Sequence, residues 1–272
     1  MIIENEFPIL EYSTEQNAII TPEKGEEPFP HLCIMTFFRE VFDAFVGKHN
    51  GKQIGAYVSE MREFPVYRLT YKETEICIIQ AVVGSGSIAM MTDWLYANGV
   101  EVLLCCGCCG VLADIPAGDV IIPTRALRGE GASYQYLPPS RYIELHQKPV
   151  QIFKKVLKEY KIPYIECTTW TTDGFYRETK DMVAHRVKQG CQAVEMECAT
   201  MAAIAQFRGK IFGQLLYSGD ILVGTEEYDD RNWYANIPAR EKIFRITVEA
   251  LIQFSQADKT QNHNGRKSDD TQ

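Results

Sequence analysis

Four cysteines around one glycine, Cys105-Cys106-Gly107-Cys108-Cys109, and three carboxylates in largely apolar company, Glu195, Glu197 and Asp220, are the residues through which this 272-residue chain could do chemistry. Cys105 with Cys108, and Cys106 with Cys109, have the spacing of a zinc or redox pair. A structural zinc site needs a second such pair or histidines at tetrahedral reach, and Cys77, Cys167, Cys191 and Cys198 stand alone in the sequence. A redox pair sits at a helix N-terminus, where the dipole lowers the thiol pKa. Here the run leads into "GVLADIPAGDV", a turn toward another strand. The cysteines therefore read as small core residues lining a strand-to-turn segment, with no metal.

The carboxylates carry more. Between Met196 and Ala205 the segment "MECATMAAIA" is apolar apart from Glu197 and Thr200, which predicts a buried helix with Glu197 on the face of Met201 and Ile204. A buried carboxylate needs donors, and composition leaves two roles open: a structural cap or arginine partner, or a ligand-binding group. Asp220 follows the apolar run "IFGQLLYS" and a glycine. That places it beyond the carboxyl edge of a strand, where open α/β sheets bind ligands, although a turn or N-cap aspartate has the same signature.

The segment "GSGSIA", Gly84 to Ala89, formally fits the G-x-G-x-x-A of dinucleotide sites. That fingerprint also requires an acidic residue at the end of the next strand, and "EVLLCCG" ends in cysteine and glycine, so NAD is not expected. What remains is a set of backbone N–H groups at Gly84, Ser85, Gly86 and Ser87 at a helix start, suited to an anion or hydroxyl. The three strand exits at 84–87, 107–110 and 219–220 could share one crevice with Met196 and Glu197.

The elements that must position these groups alternate between strand and helix from His31 onward. "HLCIMTFF" reads as a strand running into the helix "REVFDAFVG". Val66–Tyr71 and Glu75–Val83 form a hairpin-like pair, and a helix spans Ser87 to Asn98, capped by the serine. The strand "EVLLCC" and the strand in "GDVIIPTRALRGEG" follow. Then come the helix "PVQIFKKVLKEY", the strand "YIECTTWTTD", the helices "DMVAHRVKQG" and "AVEMECATMAAIAQFRG", the strand "IFGQLLYSGD" and a closing helix. This order predicts one three-layer α/β domain around a mixed sheet, over residues 31–255. Residues 1–30, with four prolines, predict an N-terminal arm, and residues 256–272 a disordered tail. No apolar run is long enough to span a bilayer and the N-terminus lacks a signal-peptide pattern, so a cytoplasmic protein is expected, with no membrane partner. Nine cysteines, an odd number, fit a reducing compartment. A formal charge of −8 argues against nucleic acid and for a small-molecule partner.

Five segments together, "GSGSIAMMTDWLYANGV", "CCGCCGVLADIPAGDVIIP", "TTDGFYRET", "AVEMECATMAAIA" and "YSGDI", resemble the nucleoside phosphorylase family of purine nucleoside and uridine phosphorylases and related nucleosidases. The order and spacing of these segments extend over about residues 31–255. The resemblance implies a mixed sheet flanked by helices, cleavage of N-ribosyl bonds with phosphate as co-substrate and no cofactor, and a homo-oligomer, dimer or hexamer. It implies that Met196 packs on the ribose and Glu197 binds its hydroxyls, beside Glu195. Phe175 and Tyr176 would lie at the base, Cys108 and Gly110 along the substrate, and Gly84–Ser87 at the nucleophile. Asp220 resembles the aspartate with which purine-cleaving members protonate the leaving base.

The chain departs from the family where phosphate is held. Cys105 stands where phosphorylases place an arginine, Cys108 stands where serine or threonine is common, and "TFFREV" replaces the N-terminal glycine-rich loop, leaving Arg39 as a substitute. Arginine is the natural bidentate phosphate ligand, and a lost charge-assisted contact costs more than about 1.5 kcal/mol. The expectation is phosphorolysis of a purine nucleoside, with Arg39, Arg68, Arg125, Arg128 and Arg177 available to restore the clamp. The alternatives are hydrolysis by water within the same fold, and a nucleoside-binding protein with little turnover.

Overall fold

The computed structural model describes residues 1–224 and 228–256, and the helical course of the last element to Ser268. Its elements in chain order are β1 (Ile2–Ile3), β2 (Tyr12–Ser13), β3 (Leu32–Thr36), α1 (Arg39–Lys48), β4 (Lys52–Val58), β5 (Glu63–Tyr71), β6 (Thr74–Gln80), α2 (Ser85–Ala97), β7 (Val102–Val111), β8 (Val120–Gly129), β9 (Tyr142–Glu144), α3 (Gln147–Glu159), β10 (Tyr164–Thr172), α4 (Lys180–Lys188), β11 (Cys191–Glu195), α5 (Cys198–Phe207), β12 (Ile211–Ile221) and α6 (Ile237–Ser268). The helical course of α6 runs to Ser268, into the stretch 256–272 expected as a disordered tail, and residues 269–272 lie outside the described residues.

Ten strands form one mixed sheet in the order β11-β10-β8-β12-β7-β3-β6-β5-β4, with β9 added on β8. The central strands β3, β6 and β7 are buried almost throughout, as continuous apolar runs must be when helices cover both faces. One face is filled from α2 and α5, with Ile88, Met91, Met201 and Ile204 fully buried. The other is filled from α1, α3 and α6, with Phe42, Phe153, Ile243 and Phe254. This is the expected three-layer α/β architecture.

One half of the sheet curls on itself. The end of β11 pairs antiparallel with the end of β7, Ala193 opposite Val111 and Val194 opposite Gly110, so β11, β10, β8, β12 and β7 close into a ring. At this seam Gly110 leaves room for the side chains of its neighbours. A Cβ there would sit 2.7 Å from Leu222 Cδ1 and 3.0 Å from Val194 Cγ1. The ring draws the carboxyl ends of β7, β11 and β12 together.

Several elements differ from the sequence reading, each for a local reason. The cysteine run is not a strand followed by a turn: β7 continues extended through Val111, because β12 pairs with it as far as Cys109 and beyond a bulge. The segment from Ala193 to Glu195 is strand, not helix, because it is hydrogen-bonded between β10 and β7; α5 starts only at Cys198. Helix α2 begins at Ser85, two residues before the expected serine cap, with Gly84 as the N-cap at φ +93. Asp220 lies within β12, at its bulge, and not past its end. Strand β4 has no counterpart in the reading because it is a half-exposed edge strand without clean alternation. The β5–β6 hairpin turns on Lys72 and Glu73, both at positive φ, a two-residue turn made without glycine or asparagine.

The N-terminal arm is tied down by Asn98, the residue capping the end of α2. Its side chain accepts from Gly25 N at 2.7 Å and donates to Glu23 O at 2.9 Å, and its carbonyl accepts from Phe29 N at 2.7 Å. Among the described residues no helix is long and apolar enough to cross a membrane.

Candidate functional site

A cavity of about 630 Å³ lies at the carboxyl ends of the sheet. Phe37 and Phe38 after β3, Ala81 and Val83 after β6, and Cys108 to Gly110 of β7 form one side. Phe175 and Glu178 after β10, Val194 to Glu197 after β11, Gln214 and Asp220 of β12, and Trp233 and Arg240 complete it. Such a crevice outside strand ends is where α/β sheets take ligands.

Glu195 and Glu197 are separated by one residue yet are held in different ways. Glu195 is saturated: its Oε1 accepts from Thr169 Oγ1 at 3.2 Å and Thr171 Oγ1 at 2.6 Å, and its Oε2 accepts from the backbone N–H of Glu197 at 2.7 Å and of Cys198 at 2.6 Å. It therefore caps the first turn of α5 from inside the protein, satisfying N–H groups that a helix start leaves unpaired. Burial raises its carboxyl pKa, against the four donors that lower it. Although Glu195 lines the cavity, its oxygens serve the protein. Glu195→Ala should cost about 2–4 kcal/mol of stability, since it strands two buried N–H groups and two hydroxyls, read as a lower midpoint in urea unfolding. An unchanged midpoint would remove the capping role.

Glu197 is the N-cap residue of α5 and is buried, not a member of a helix face as the composition predicted. Its Oε1 accepts from Gly84 N at 2.6 Å. Burial, then the neighbouring charge of Glu195, push its pKa up to about 8. Gly84 can present that N–H because its φ of +93 is open to glycine and strained for other residues. Met196, between the two glutamates, is half-buried and faces the cavity.

Asp220 is buried at the bulge of β12 and its Oδ2 accepts from Tyr228 Oη at 3.1 Å. Burial is the main cause of its raised pKa, opposed by the Tyr228 hydrogen bond. A raised pKa makes a carboxyl better able to hold a proton and pass it on, as a proton donor must. Gly110 lies close to it, and a Cβ there would sit 3.3 Å from Asp220 Oδ1.

The remaining expected residues divide. Phe175, Cys108 and Gly110 line the cavity, whereas Tyr176 is 93% exposed and lies outside the wall. Gly84, Ser85, Gly86 and Ser87 are not among the residues lining the cavity, and the Gly84 N–H is directed to Glu197. Ser85 donates its hydroxyl to Asp173 Oδ1, and Asp173 Oδ2 accepts from Gly131 N at 2.9 Å. The start of α2, expected to meet an external anion, thus meets Glu197 and Asp173. Arg39 is exposed and outside the cavity wall, and none of Arg68, Arg125, Arg128 and Arg177 reaches it. The cysteines are all free. Burial raises the pKa of Cys105 well above normal and pushes the Cys106 and Cys108 thiols up to about 12, which leaves them unreactive at neutral pH. No group of three or more metal-ligating side chains among the described residues is arranged to hold an ion.

Two charged wall residues escaped the sequence reading. Arg240, from the first turn of α6, lies with its guanidinium 5.4 Å from the Phe38 ring centroid and its Nη1 on Glu40 Oε1 at 2.7 Å. Glu178 is half-buried, and burial followed by the charge of Asp220 raises its pKa to about 7. It is three residues beyond Phe175 in the same loop, a proximity that could have been noticed. Nothing in spacing announces Arg240, since α6 returns to the sheet only in three dimensions.

Comparison with known proteins agrees with the fold. A purine nucleoside phosphorylase from Toxoplasma gondii in complex with immucillin-H superposes with a TM-score of 0.72 at 19% identity, over 84% of this chain and 93% of the other. An AMP nucleosidase from Bacteroides thetaiotaomicron gives 0.69 at 20% identity, over 85% and 91%. In sequence, the guanosine phosphorylase of Halorubrum lacusprofundi is 28% identical over 71% of this chain and 83% of its own length. A DeoD-type purine nucleoside phosphorylase from Brevibacillus brevis is 29% identical over 67% and 76%. The profile of the phosphorylase superfamily matches residues 31–253, the stretch that builds both the closed sheet and the cavity, and the chain belongs to that superfamily.

Proposed function

We propose that the protein cleaves the N-glycosidic bond of a purine nucleoside. The observation that carries this reading is the placement of two buried carboxyls with raised pKa values, Asp220 and Glu197, on one cavity with Met196 and Phe175. Breaking the bond between C1′ and the base builds positive charge on the sugar and sends the bonding electrons to the base. A protonated Asp220 supplies the proton that the departing nitrogen takes up, and Glu197 accepts from the ribose hydroxyls and offsets the sugar's charge. Phe175 offers an aromatic face for the base and Met196 an apolar one for the sugar. The names of the relatives support a purine substrate.

We further propose water as the nucleophile in this chain. Four carboxyls, Glu178, Glu195, Glu197 and Asp220, share the wall with a single guanidinium, Arg240, which is already engaged by Glu40. A phosphate dianion would enter that field without an arginine clamp, and the N–H of Gly84 that could help hold it is given to Glu197. In hydrolysis, water forms the new C1′–O bond, and the proton it loses balances the one given to the base. Phosphorolysis is the second reading, favoured by the names of the relatives. Product analysis separates them: free ribose is expected at the same rate in phosphate-free buffer, whereas ribose 1-phosphate and saturation by phosphate would overturn hydrolysis. No turnover across a nucleoside panel would leave a nucleoside-binding protein.

A further inference from the structure

A second cavity, of about 350 Å³, shares no wall residue with the first. Three arginines line it: Arg128 of β8, Arg141 just before β9, and Arg186 of α4. Arg128 is spent on structure. Its Nε donates to Ser133 Oγ at 2.9 Å, its Nη1 to Pro138 O and Ser140 Oγ at 2.8 Å each, and its Nη2 to Leu137 O at 3.1 Å. Arg186 gives Nη1 to Gln189 Oε1 at 2.9 Å, while its Nε is buried with no hydrogen-bond partner. Arg141 is exposed, and among the described residues no carboxylate lies within ion-pair distance of any of the three. The charge of Glu130 reaches Arg128, but its Oε2 is turned to Ser133 N and Thr200 Oγ1.

Clustering three guanidiniums in a concave site is unfavourable unless something offsets it. Burial lowers the pKa of Arg186, and the charge of Arg141 lowers it further. The chain as a whole has a formal charge of −8, yet among the described residues no carboxylate makes a direct ion pair with this cluster, and Glu130 alone reaches Arg128 from a distance. We propose that this cavity binds the phosphate group of a small molecule. Arg141 and Arg186 would supply unspent N–H donors of the kind that fit a phosphate oxygen pair, Arg128 a fixed third charge, and Leu10 and Pro139 an apolar wall for an attached organic group. The proposal stands apart from the catalytic cavity and from the identity of its nucleophile.

Titration calorimetry of the full chain at low salt, with inorganic phosphate and separately with ribose 5-phosphate, tests it. Saturable binding is expected for the wild type, weakened at least about tenfold in the Arg141→Ala/Arg186→Ala double variant, because two charge-assisted contacts disappear. Turnover and Tm should stay at wild-type values. Tighter binding of the ester would identify a phosphomonoester ligand, and equal binding free phosphate. Phosphate that also entered the catalytic cavity would remain as a residual isotherm in the double variant, so the two sites are read separately. Arg186→Lys keeps charge and stem, guards against misfolding, and should give an intermediate affinity. Identical isotherms for wild type and double variant, or no saturable uptake by the wild type, would overturn the proposal. So would a change of oligomeric state between them without phosphate uptake, which would assign the cavity to a second copy of the chain.

Discussion

Asp220→Asn is expected to lower turnover of a purine riboside by about 10²-fold or more, the usual scale for removing a general acid. Asparagine keeps the size of the side chain and can still accept from Tyr228 Oη, the contact that holds Asp220 at the β12 bulge. Fold and substrate binding should therefore survive, so that the loss appears in kcat with little change in KM or Tm. The effect should depend on the leaving group. A riboside carrying nitrophenolate departs without needing a proton, and its cleavage should be spared in the same variant. Equal losses on both substrates would mean that Asp220 positions the sugar and does not protonate the base; full activity on the purine would remove it from the mechanism.

The place of Asp220 was legible only in part: that it lies near the carboxyl end of an apolar strand is visible in "IFGQLLYSGD", but the bulge that keeps it inside β12 is not. The layers were legible: strands and helices alternate from Leu32 onward, and the fully apolar runs of β3 and β7 have to lie between helices. Legibility fails where tertiary pairing overrides local pattern. "AVEMECATMAAIA" has helical composition throughout, yet its first three residues are strand because β10 and β7 offer hydrogen bonds on both sides. That difference changes the chemistry, because it makes Glu195 the cap of α5 and leaves Glu197 to face the cavity. The start of α2 shows the same limit. Free N–H groups at the start of α2 are visible in "GSGS", but that the Gly84 N–H goes to Glu197 and the Ser85 hydroxyl to Asp173, 113 and 88 residues away in sequence, is not. Arg240 is of the same kind: a residue from the closing helix becomes part of the wall only when α6 packs over Phe38.

Glu197→Gln should separate function from stability. The amide oxygen can still accept from Gly84 N, so the contact with the start of α2 is preserved, while the negative charge beside the sugar is lost. Turnover of ribosides should fall about 10- to 100-fold, as for a charged hydrogen bond, with a smaller loss on 2′-deoxyribosides that never made one of the contacts. Equal losses on both would remove Glu197 from the 2′ position. In the wild type the working form is ionised, so kcat/KM should rise with pH toward about 8, where burial and Glu195 have placed its pKa. Stability should run the other way. The unfolded carboxyl ionises near the ordinary glutamate value, the folded one near 8, so between them the native state binds the extra proton and stability falls as pH rises. A neutral glutamine has no such proton to lose. The variant should match the wild type in urea unfolding at about pH 5 and exceed it by a few kcal/mol above pH 8. A variant no more stable than the wild type at high pH would mean that Glu197 is already ionised without penalty, and that its charge is offset by a donor other than Gly84.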